Sequence, residues 1–315
     1  MYKLVKLNKK SHVNDFIKIF IFLTLVIIFF KLLQYFFNKK NIEPYDNPKK
    51  YNIAIMTIFK NEQNYMEEWL NYHIDQGIEQ IFMYCNDPNI HNYPYLSNPK
   101  YKDYITIIDW TKKENNGLST IQRQAYTHCT KTYGNQCQFL LMLDLDEFLV
   151  HINKLNTVAE YIWSLKPKWN EIKSFKIQRY DFGSSGHKTK PIGKVMNNYT
   201  HHEKICSSYK TMANTDFVNK DADFFGVHDF NFLNKDGKIY NDYFGYHETG
   251  YPNSCKQDSI NEIPLVINHY YTKSYEEYLA RCILWENGGI NPINYRTDCI
   301  NKFNSRDINE VKDYN

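Results

Sequence analysis

The stretch that decides the fold is FLLMLDLDEFLV, which runs from Phe139 to Val150. Five apolar residues lead directly into three carboxylates, those of Asp144, Asp146 and Glu147. A run that is apolar on both faces is typical of a strand inside a sheet covered by helices. Because side chains alternate along a strand, we expect Asp144 and Asp146 on the same side of the strand's tip.

The two aspartates predict a metal site. Two like charges so close together repel each other and are costly to desolvate. A hard divalent cation, Mn²⁺ or Mg²⁺, offsets this cost because it prefers oxygen ligands and often binds through few carboxylates plus substrate phosphates. The simpler alternative is a solvated strand end with two exposed aspartates.

Three earlier apolar runs have the length of strands: IAIMTIF (Ile53–Phe59), IFMYC (Ile81–Cys85) and ITIIDW (Ile105–Trp110). A helical stripe from Met66 to Ile74 follows the first run, and a second helix from Ser119 to Cys129 precedes the opening stretch. This order predicts an α/β fold with a mostly parallel sheet flanked by helices.

Polar side chains follow the predicted strands. Lys60, Asn61 and Glu62 come after the first strand, and Asn86 and Asp87 come after the second. In open α/β sheets, ligands bind outside the carboxyl ends of the strands. We therefore expect a binding site at this edge of the sheet.

The second half of the chain is more mixed. DFFGVHDF (Asp223–Phe230) and PLVINHYYTKS (Pro264–Ser274) each place a histidine, His228 and His269, at or beside a strand. After the second of these, Ser274 and Glu277 have the spacing of a capping box, so a helix is expected to begin there.

The N-terminal part has a different composition. Residues 16–37 are almost wholly apolar, and with lysines at both flanks they are long enough for a transmembrane anchor. A buried core helix or a cleavable signal peptide are the alternatives, but no small-residue cleavage site follows the apolar core. We predict a tail at 1–15, an anchor at 16–37, a stem at 38–50, one large domain at 51–300 and a charged, loosely held tail at 301–315.

Composition limits the partners and the compartment. The net charge is +3 and no basic run is interleaved with aromatic residues, so nucleic acid is not an expected partner. The seven cysteines lack the close spacing of a zinc knuckle, and all follow the predicted anchor, so disulfides in an oxidising lumen are possible. The triplet Asn198-Tyr199-Thr200 is an N-glycosylation acceptor that fits a lumenal domain.

Two enzyme classes use an Asp-x-Asp pair in this way. In metal-dependent glycosyltransferases that use nucleotide sugars, the pair holds the ion against a diphosphate. In aspartyl-phosphate phosphatases, the first aspartate is a nucleophile, the pair lies on the first strand, and Thr or Val follows two residues after the second aspartate. Here the pair is on the fourth predicted strand and Phe148 occupies that position, so the transferase is favoured. A catalytically decayed glycan-binding module is a further alternative.

The sequence resembles glycosyltransferase family 92 and the family-2-like enzymes related to it. The resemblance lies in five segments in the family's order, from Ile53 to Trp285: FKNEQNYMEEWLNYHIDQGIEQIFMYCND, FLLMLDLDEFL, DFGSSGH, YKTMANTDFV…FFGVHDF and INHYYTKSYEEYLARC. It implies a GT-A fold, a nucleotide-sugar donor, a glycan or glycoconjugate acceptor and an inverting mechanism. In eukaryotic members it also implies a type II membrane anchor with the catalytic domain in the lumen of the ER or Golgi.

The resemblance also assigns roles to particular residues. Lys60, Asn61 and Glu62 match a motif near the donor nucleotide, Asp144 and Asp146 match the metal-binding pair, and His228 or His269 matches a third metal ligand. Asp87, at the end of the second strand, is a further candidate for nucleotide-sugar binding, as is Asp144. The family tends to have Arg-Pro where Ala213 and Asn214 stand, so a basic contact is either missing or supplied elsewhere.

An inverting transferase needs a carboxylate that deprotonates the acceptor hydroxyl. Asp181, Asp223 and Asp229 are the candidates, with Asp181 and Asp229 to be tested first. Glu147 is expected to orient the site as a hydrogen-bond acceptor.

Overall fold

The computed structural model describes Thr24, Val26 and residues 48–112, 120–206, 208–223, 226–233, 239–240, 263–286 and 292–313. The chain divides into two units, Met1–Pro48 and Lys49–Asn315. In the first unit, Thr24 and Val26 are helical, and the rest of the predicted anchor at 16–37 lies outside the described residues. Among the residues that are described, no helix has the length and apolar character needed to cross a bilayer.

The second unit is built from strands and helices that alternate along its first half. The strands are β1 (Tyr51–Phe59), β2 (Gln80–Cys85), β3 (Ile105–Asp109), β4 (Cys137–Met142), β5 (Glu147–His151), β6 (Ser174–Asp181), β7 (His201–His202), β8 (Ser208–Asn214), β9 (Phe232–Leu233), β10 (Ile239–Tyr240), β11 (Leu265–His269) and β12 (Val311–Lys312). The helices are α1 (Met66–Asp75), α2 (Ile121–Tyr133), α3 (Val158–Ser164), α4 (Val195–Asn198), α5 (Tyr275–Glu286) and α6 (Pro292–Arg306). Short 3-10 helices occur at Ile90–Asn92, Pro94–Ser97, Pro99–Tyr101, Gly134–Gln136, Lys166–Lys168 and Thr215–Phe217.

Eight strands form one sheet in the order β3-β2-β1-β4-β8-β6-β11-β5. The pairs β1/β2, β1/β4, β2/β3 and β6/β11 are parallel, whereas β4/β8, β6/β8 and β5/β11 are antiparallel. The predicted α/β fold with a mostly parallel sheet flanked by helices is confirmed.

The buried strands β1, β2 and β4 separate two apolar cores. Ile55 pairs with Ile81 and with Leu141 in register, and all three belong to the core that also contains Trp69 of α1. The alternate residues of the same strands belong to a second core with Tyr126 of α2. The continuous apolar runs therefore arise because helices cover both faces of the sheet.

Helix α1 also fixes the position of β5. The indole Nε1 of Trp69 donates to the carbonyl of Glu147 at 2.7 Å, and Nε2 of His73 accepts from the backbone N–H of Leu149 at 3.2 Å. Nδ1 of His73 donates to the carbonyl of Trp69 at 2.9 Å. Burial lowers the pKa of His73 to about 3, so this ring is neutral and acts as a structural link between helix and strand.

The opening stretch contains two strands where the sequence predicts one. β4 ends at Met142, a turn follows, and Glu147 is the first residue of β5. The N–H of Glu147 donates to the carbonyl of Asp144 at 3.0 Å, which closes the turn. β5 then pairs antiparallel with β11, so Glu147 belongs to a different strand from the run that precedes Asp144.

The C-terminal segment also differs from its prediction. Residues 301–306 complete α6, and β12 pairs with β7, so much of the predicted loose tail has regular secondary structure. A disulfide between Cys282 and Cys299 joins α5 to α6, with their Cα atoms 6.0 Å apart. Cys85, Cys129 and Cys137 are free and buried.

Candidate active site

Acidic and basic side chains alternate in a continuous series at the carboxyl ends of β4, β6 and β11. We call this series the charge ladder. Its members in order are Asp144, Lys210, Glu147, Arg179, Asp181, His269, Asp146 and Arg281. The two aspartates of the Asp-x-Asp pair therefore belong to the same ladder but to different parts of it.

Asp144 is held by side chains of the protein. Nζ of Lys210, on β8, lies 2.7 Å from Oδ2 of Asp144 and 3.0 Å from Oε2 of Glu147. Oδ1 of Asp144 accepts from Nε2 of Gln122 at 2.9 Å and from the hydroxyl of Tyr126 at 3.2 Å. The charge of Asp144 is thus offset by Lys210. The sequence argument expected a divalent cation to offset this charge.

Lys210 is fully buried, at 0% exposure. Burial alone would lower the pKa of Lys210, but the carboxylates of Asp144 and Glu147 outweigh it and raise the pKa above its ordinary value. Glu147 also accepts from the backbone N–H of Asp144 at 3.0 Å. Glu147 therefore orients the turn as a hydrogen-bond acceptor.

The middle of the ladder connects the two aspartates. NH1 of Arg179 lies 3.2 Å from Oε1 of Glu147, and Nε of Arg179 lies 3.6 Å from Oδ1 of Asp181. Asp181 in turn accepts from Nδ1 of His269 at 2.6 Å. Asp181 is therefore engaged by the ring of His269 and by a neighbouring guanidinium.

The contacts of Asp146 are looser. Oδ1 of Asp146 lies 3.5 Å from Nε2 of His269, and Oδ2 lies 3.4 Å from NH1 of Arg281. Burial would raise the pKa of Asp146, but the charges of His269, Lys273 and Arg281 outweigh it and hold the pKa well below its usual range. Burial would likewise lower the pKa of His269, but Asp146 and Asp181 outweigh it and raise that pKa to about 9.

Asp146 and His269 fit a divalent ion. Nδ1 of His269 is engaged by Asp181, which turns Nε2 toward Asp146 in the arrangement usual for a metal-binding histidine. The 3.5 Å separation exceeds that of a good hydrogen bond. Neighbouring octahedral ligands that each lie about 2.1 Å from one ion are about 3.0 Å apart, so both side chains could bind one ion after a small shift. Over the described part of the chain, no three His, Cys, Asp or Glu side chains are grouped to hold a metal. The remaining ligands of such an ion would therefore be oxygen atoms of a bound substrate or water.

Two clefts open beside the ladder. The first has a volume of about 470 Å³ and is lined by Asp144, Asp146 and His269 together with Asn86 and Gln122, among others. The second has a volume of about 200 Å³, and its lining includes the segment from Lys60 to Tyr65 and residues of the β11–α5 turn. Lys60, Glu62, Tyr271 and Arg281 line both clefts.

The loop after β1 is anchored from outside the clefts by Asp87. The carboxylate of Asp87 accepts from the N–H of Asn61 at 3.2 Å, the N–H of Asn89 at 3.0 Å and the hydroxyl of Tyr93 at 2.8 Å. Asp87 is buried and is not part of the lining of either cleft. In this structure Asp87 therefore orders the loop that carries Lys60 and Glu62.

Two residues beside the second cleft have left-handed backbone conformations. The φ angles are +60° for Asn61 and +52° for Lys273. Such angles are unfavourable for side chains other than glycine and are common at functional sites. The backbone is therefore strained on both sides of this cleft.

Three other predicted residues line neither cleft. Nδ1 of His228 lies 2.9 Å from the carbonyl of Tyr209. Asp229 accepts from the hydroxyls of Tyr209 and Thr211, and Asp223 forms an exposed ion pair with Lys131. The structure thus brings Asp144, Asp146, Asp181 and His269 together, and leaves His228, Asp223 and Asp229 outside the lining of both clefts.

The lysine and arginine members of the ladder were not predicted. Lys210 is the only charged residue of β8, and a lone charge in a strand of the sheet is the signal that could have indicated an ion-paired lysine. Arg281 lies on α5, its guanidinium stacks 4.2 Å from the ring of Tyr271, and it donates to the carbonyl of Tyr271. Nothing in the local sequence indicates that Arg281 faces Asp146.

Comparison with known proteins identifies relatives in a single glycosyltransferase family. The sequence model for glycosyltransferase family 92 matches residues 49–270. A glycosyltransferase family 92 protein of Oryza sativa subsp. japonica is 24% identical over 176 residues, which cover 54% of this chain and 28% of that protein. One from Ricinus communis is 23% identical over 177 residues, which cover 54% of this chain and 30% of that protein. The matched region thus spans less than a third of these curated relatives.

Among solved structures, a putative glucose-1-phosphate thymidylyltransferase from Bacillus anthracis aligns with a TM-score of 0.30 and 8% identity, over 52% of this chain and 72% of that chain. A likeness of this size supports no conclusion about activity.

Proposed function

This chain belongs to glycosyltransferase family 92, and we propose that it is a metal-dependent, inverting glycosyltransferase with a GT-A fold. It transfers a sugar from a nucleotide-sugar donor to a hydroxyl of a glycan or glycoconjugate acceptor. The observation that carries the proposal is the cleft at the carboxyl ends of the strands, where Asp146 and His269 face each other at 3.5 Å. This position is where ligands bind in sheets of this kind.

The residues at the Asp146 end would hold the donor's diphosphate. Asp146 and His269 would hold Mn²⁺ or Mg²⁺ together with phosphate oxygens. Such an ion, when bound, supplies positive charge that stabilises the departing nucleoside diphosphate. Arg281, which lines the same cleft, would provide the basic contact that Ala213 and Asn214 do not. Lys60 and Asn86, which line the same cleft, would contact the nucleotide.

The phosphatase alternative has little support from the geometry. A nucleophilic aspartate needs a free oxygen for attack on phosphorus. Both oxygens of Asp144 are engaged, one by Gln122 and Tyr126 and the other by Lys210. Asp144 is therefore suited to hold the turn beside the diphosphate.

We also propose a lumenal location with a type II anchor. The disulfide between Cys282 and Cys299 supports an oxidising compartment, since disulfides persist there and are rare in the cytosol. The acceptor triplet that begins at Asn198 supports the same location.

A donor screen tests the proposed function. The full-length chain in detergent is incubated with a panel of nucleotide sugars, and release of nucleoside diphosphate is measured with Mn²⁺ and with EDTA. We expect release from one donor that requires the ion and falls at least about 100-fold in Asp146→Ala, because charge stabilisation of the leaving group is lost. Asp103→Asn, an exposed change away from both clefts, is the control and should behave as wild type.

Two outcomes would overturn this proposal. Release that persists in EDTA and in an Asp146→Ala/His269→Ala variant would exclude the metal site. Absence of release from every donor, with retained glycan binding on an array, would instead identify the decayed binding module.

A further inference from the structure

Glu62 lies at the boundary between the two clefts. It follows β1, and it lines both the cleft that contains Asp146 and the smaller cleft beside it. Its backbone is fixed, because its N–H donates to the hydroxyl of Tyr93 at 3.2 Å and its carbonyl accepts from the N–H of Tyr65 at 3.3 Å. The backbone of Glu62 is therefore held at the wall that the two clefts share.

The carboxylate of Glu62 is available for a ligand in the clefts. Within the described residues, no hydrogen bond or ion pair reaches either of its oxygens. The other carboxylates considered as a base are engaged: Asp181 by His269, and Asp229 by two hydroxyls. Asp223 lines neither cleft. Glu62 is thus the carboxylate with the best access to both clefts.

The surroundings of Glu62 suit proton transfer near neutral pH. Burial raises its pKa to about 7, with Asp146 and Asp144 acting in the same direction and Lys273 and Arg281 opposing it. A general base is most effective when its pKa lies near the working pH. The geometry and the charge environment therefore point to the same role.

Most residues that line the smaller cleft carry polar or charged groups, which suits a hydroxylated ligand. Nζ of Lys190 lies 4.7 Å from the ring centre of Tyr65, and Nζ of Lys273 lies 4.5 Å from it. Lys273 is 7% exposed, and among the described residues no carboxylate lies within ion-pair distance of its ammonium. Such donors beside an aromatic ring can bind sugar hydroxyls, so this cleft is the side from which an acceptor would approach.

We propose that Glu62 is the catalytic base that deprotonates an acceptor sugar hydroxyl entering from the smaller cleft. This inference rests on the proposed function. The proton of the hydroxyl passes to the carboxylate of Glu62 while the hydroxyl oxygen forms a bond to the anomeric carbon. The bond from that carbon to the diphosphate oxygen breaks, and its electron pair leaves with the nucleoside diphosphate.

The test compares Glu62→Gln and Glu62→Asp with wild type, using the nucleotide sugar that wild type hydrolyses, with water as acceptor. We expect Glu62→Gln to lower kcat by about 100-fold or more. Glu62→Asp keeps the carboxylate and should retain part of the activity. Wild-type kcat/KM should rise with pH and level off above about 7, and this rise should disappear in Glu62→Gln. The control Glu67→Gln removes an exposed carboxylate on α1 and should change neither.

A parallel binding measurement separates the roles. Glu62→Gln should keep the Mn²⁺-dependent thermal shift produced by UDP or GDP, which also shows that it folds. If this shift is lost together with activity, Glu62 binds the donor and the inference is wrong. Unchanged kcat and pH profile in Glu62→Gln would also refute the inference, with the proposed function intact. No turnover by wild type would refute the proposed function itself, and the inference with it.

Discussion

The two ends of the charge ladder differ although both begin in the same turn. At one end, Asp144 has a buried lysine 2.7 Å away and further donors on its second oxygen. At the other end, Asp146 lies 3.5 Å from His269 and 3.4 Å from Arg281. An Asp-x-Asp pair therefore need not supply two equal metal ligands, because its tertiary partners decide which carboxylate is satisfied by the protein.

The strand order explains the difference. β8 pairs with β4, and this pairing carries Lys210 beneath the turn. His269 ends β11, where it pairs in register with Glu147 on one side and with Asp181 on the other. The Asp144 end is thus held by a lysine from the interior of the sheet, whereas the Asp146 end lies beside β11 and the edge strand β5; both aspartates line the same cleft.

The largest expected effect comes from removing the cation at the Asp144 end of the ladder. Lys210→Met would leave the buried carboxylate of Glu147 and the partly buried carboxylate of Asp144 without their cation, which costs about 3–5 kcal/mol of unfolding free energy. The control Lys131→Met removes a lysine from an exposed pair with Asp223 and should cost less than about 1 kcal/mol. Urea unfolding near neutral pH measures the unfolding free energy of both variants. Equal losses would show that the ion pairs of Lys210 stabilise the fold no more than an exposed ion pair does.

A second prediction separates the two ends by ligand binding. With Mn²⁺ and nucleoside diphosphate at about 100 times Kd, wild type should gain about 2.7 kcal/mol of stability. Asp146→Asn should lose this gain, because one of two protein ligands is removed. Asp144→Asn should keep most of it while starting from a lower stability. Thermal shifts with and without EDTA test this, and a similar loss in both variants would mean that both aspartates hold the ion.

A third and smaller effect is the pH dependence of folding stability, measured in EDTA so that no metal ion is bound. The pKa of His269 is raised from 6.5 to about 9, so its stabilising contribution is complete below 6.5 and is lost as pH rises through 9. Stability should fall by about 1 kcal/mol per pH unit between about pH 7 and about pH 8.5. Asp146→Asn should flatten this slope, because it removes the charge that raises the pKa of His269 most. Glu62 titrates lower, with its contribution lost between 4.5 and about 7.

A steep slope that persists in Asp146→Asn would show that Asp181 alone maintains the raised pKa of His269. On the acid side the sign is reversed. The pKa of Asp146 and that of Asp181 are lowered, so their contributions are present above the ordinary carboxyl range and are lost as pH falls below it.

The first half of the fold could be predicted from sequence because its signals are local. The runs beginning at Ile53, Ile81 and Ile105 lie within or close to β1, β2 and β3, since an apolar run of strand length between helical stripes has few other interpretations. The capping box was equally local: Ser274 and Glu277 exchange the expected hydrogen bonds at the start of α5.

The remainder depended on pairings between distant segments. β5 could not be separated from β4 by pattern alone, because its identity comes from antiparallel pairing with β11. The same holds for β12, which is ordered by β7.

The site shows the same division. Acidic residues at strand ends could be predicted to share an edge of the sheet, and Asp144 and Asp146 do line one cleft. His228 and His269 had equivalent sequence signals, and only the position of β11 between β6 and β5 distinguishes them. The ion pairs of the ladder could not be predicted from sequence. Lys210 and Arg281 lie on β8 and α5, and no local pattern shows where these elements lie relative to the aspartates.

The left-handed backbone at Asn61 and Lys273 matters for protein engineering. Each such residue costs about 1–3 kcal/mol, and glycine would relieve most of that strain. A thermostability programme that ranks substitutions by folding energy would therefore select glycine at both positions. The more stable variant would lack two polar side chains from the wall of the smaller cleft. Gains in melting temperature at these positions should therefore be weighed against turnover.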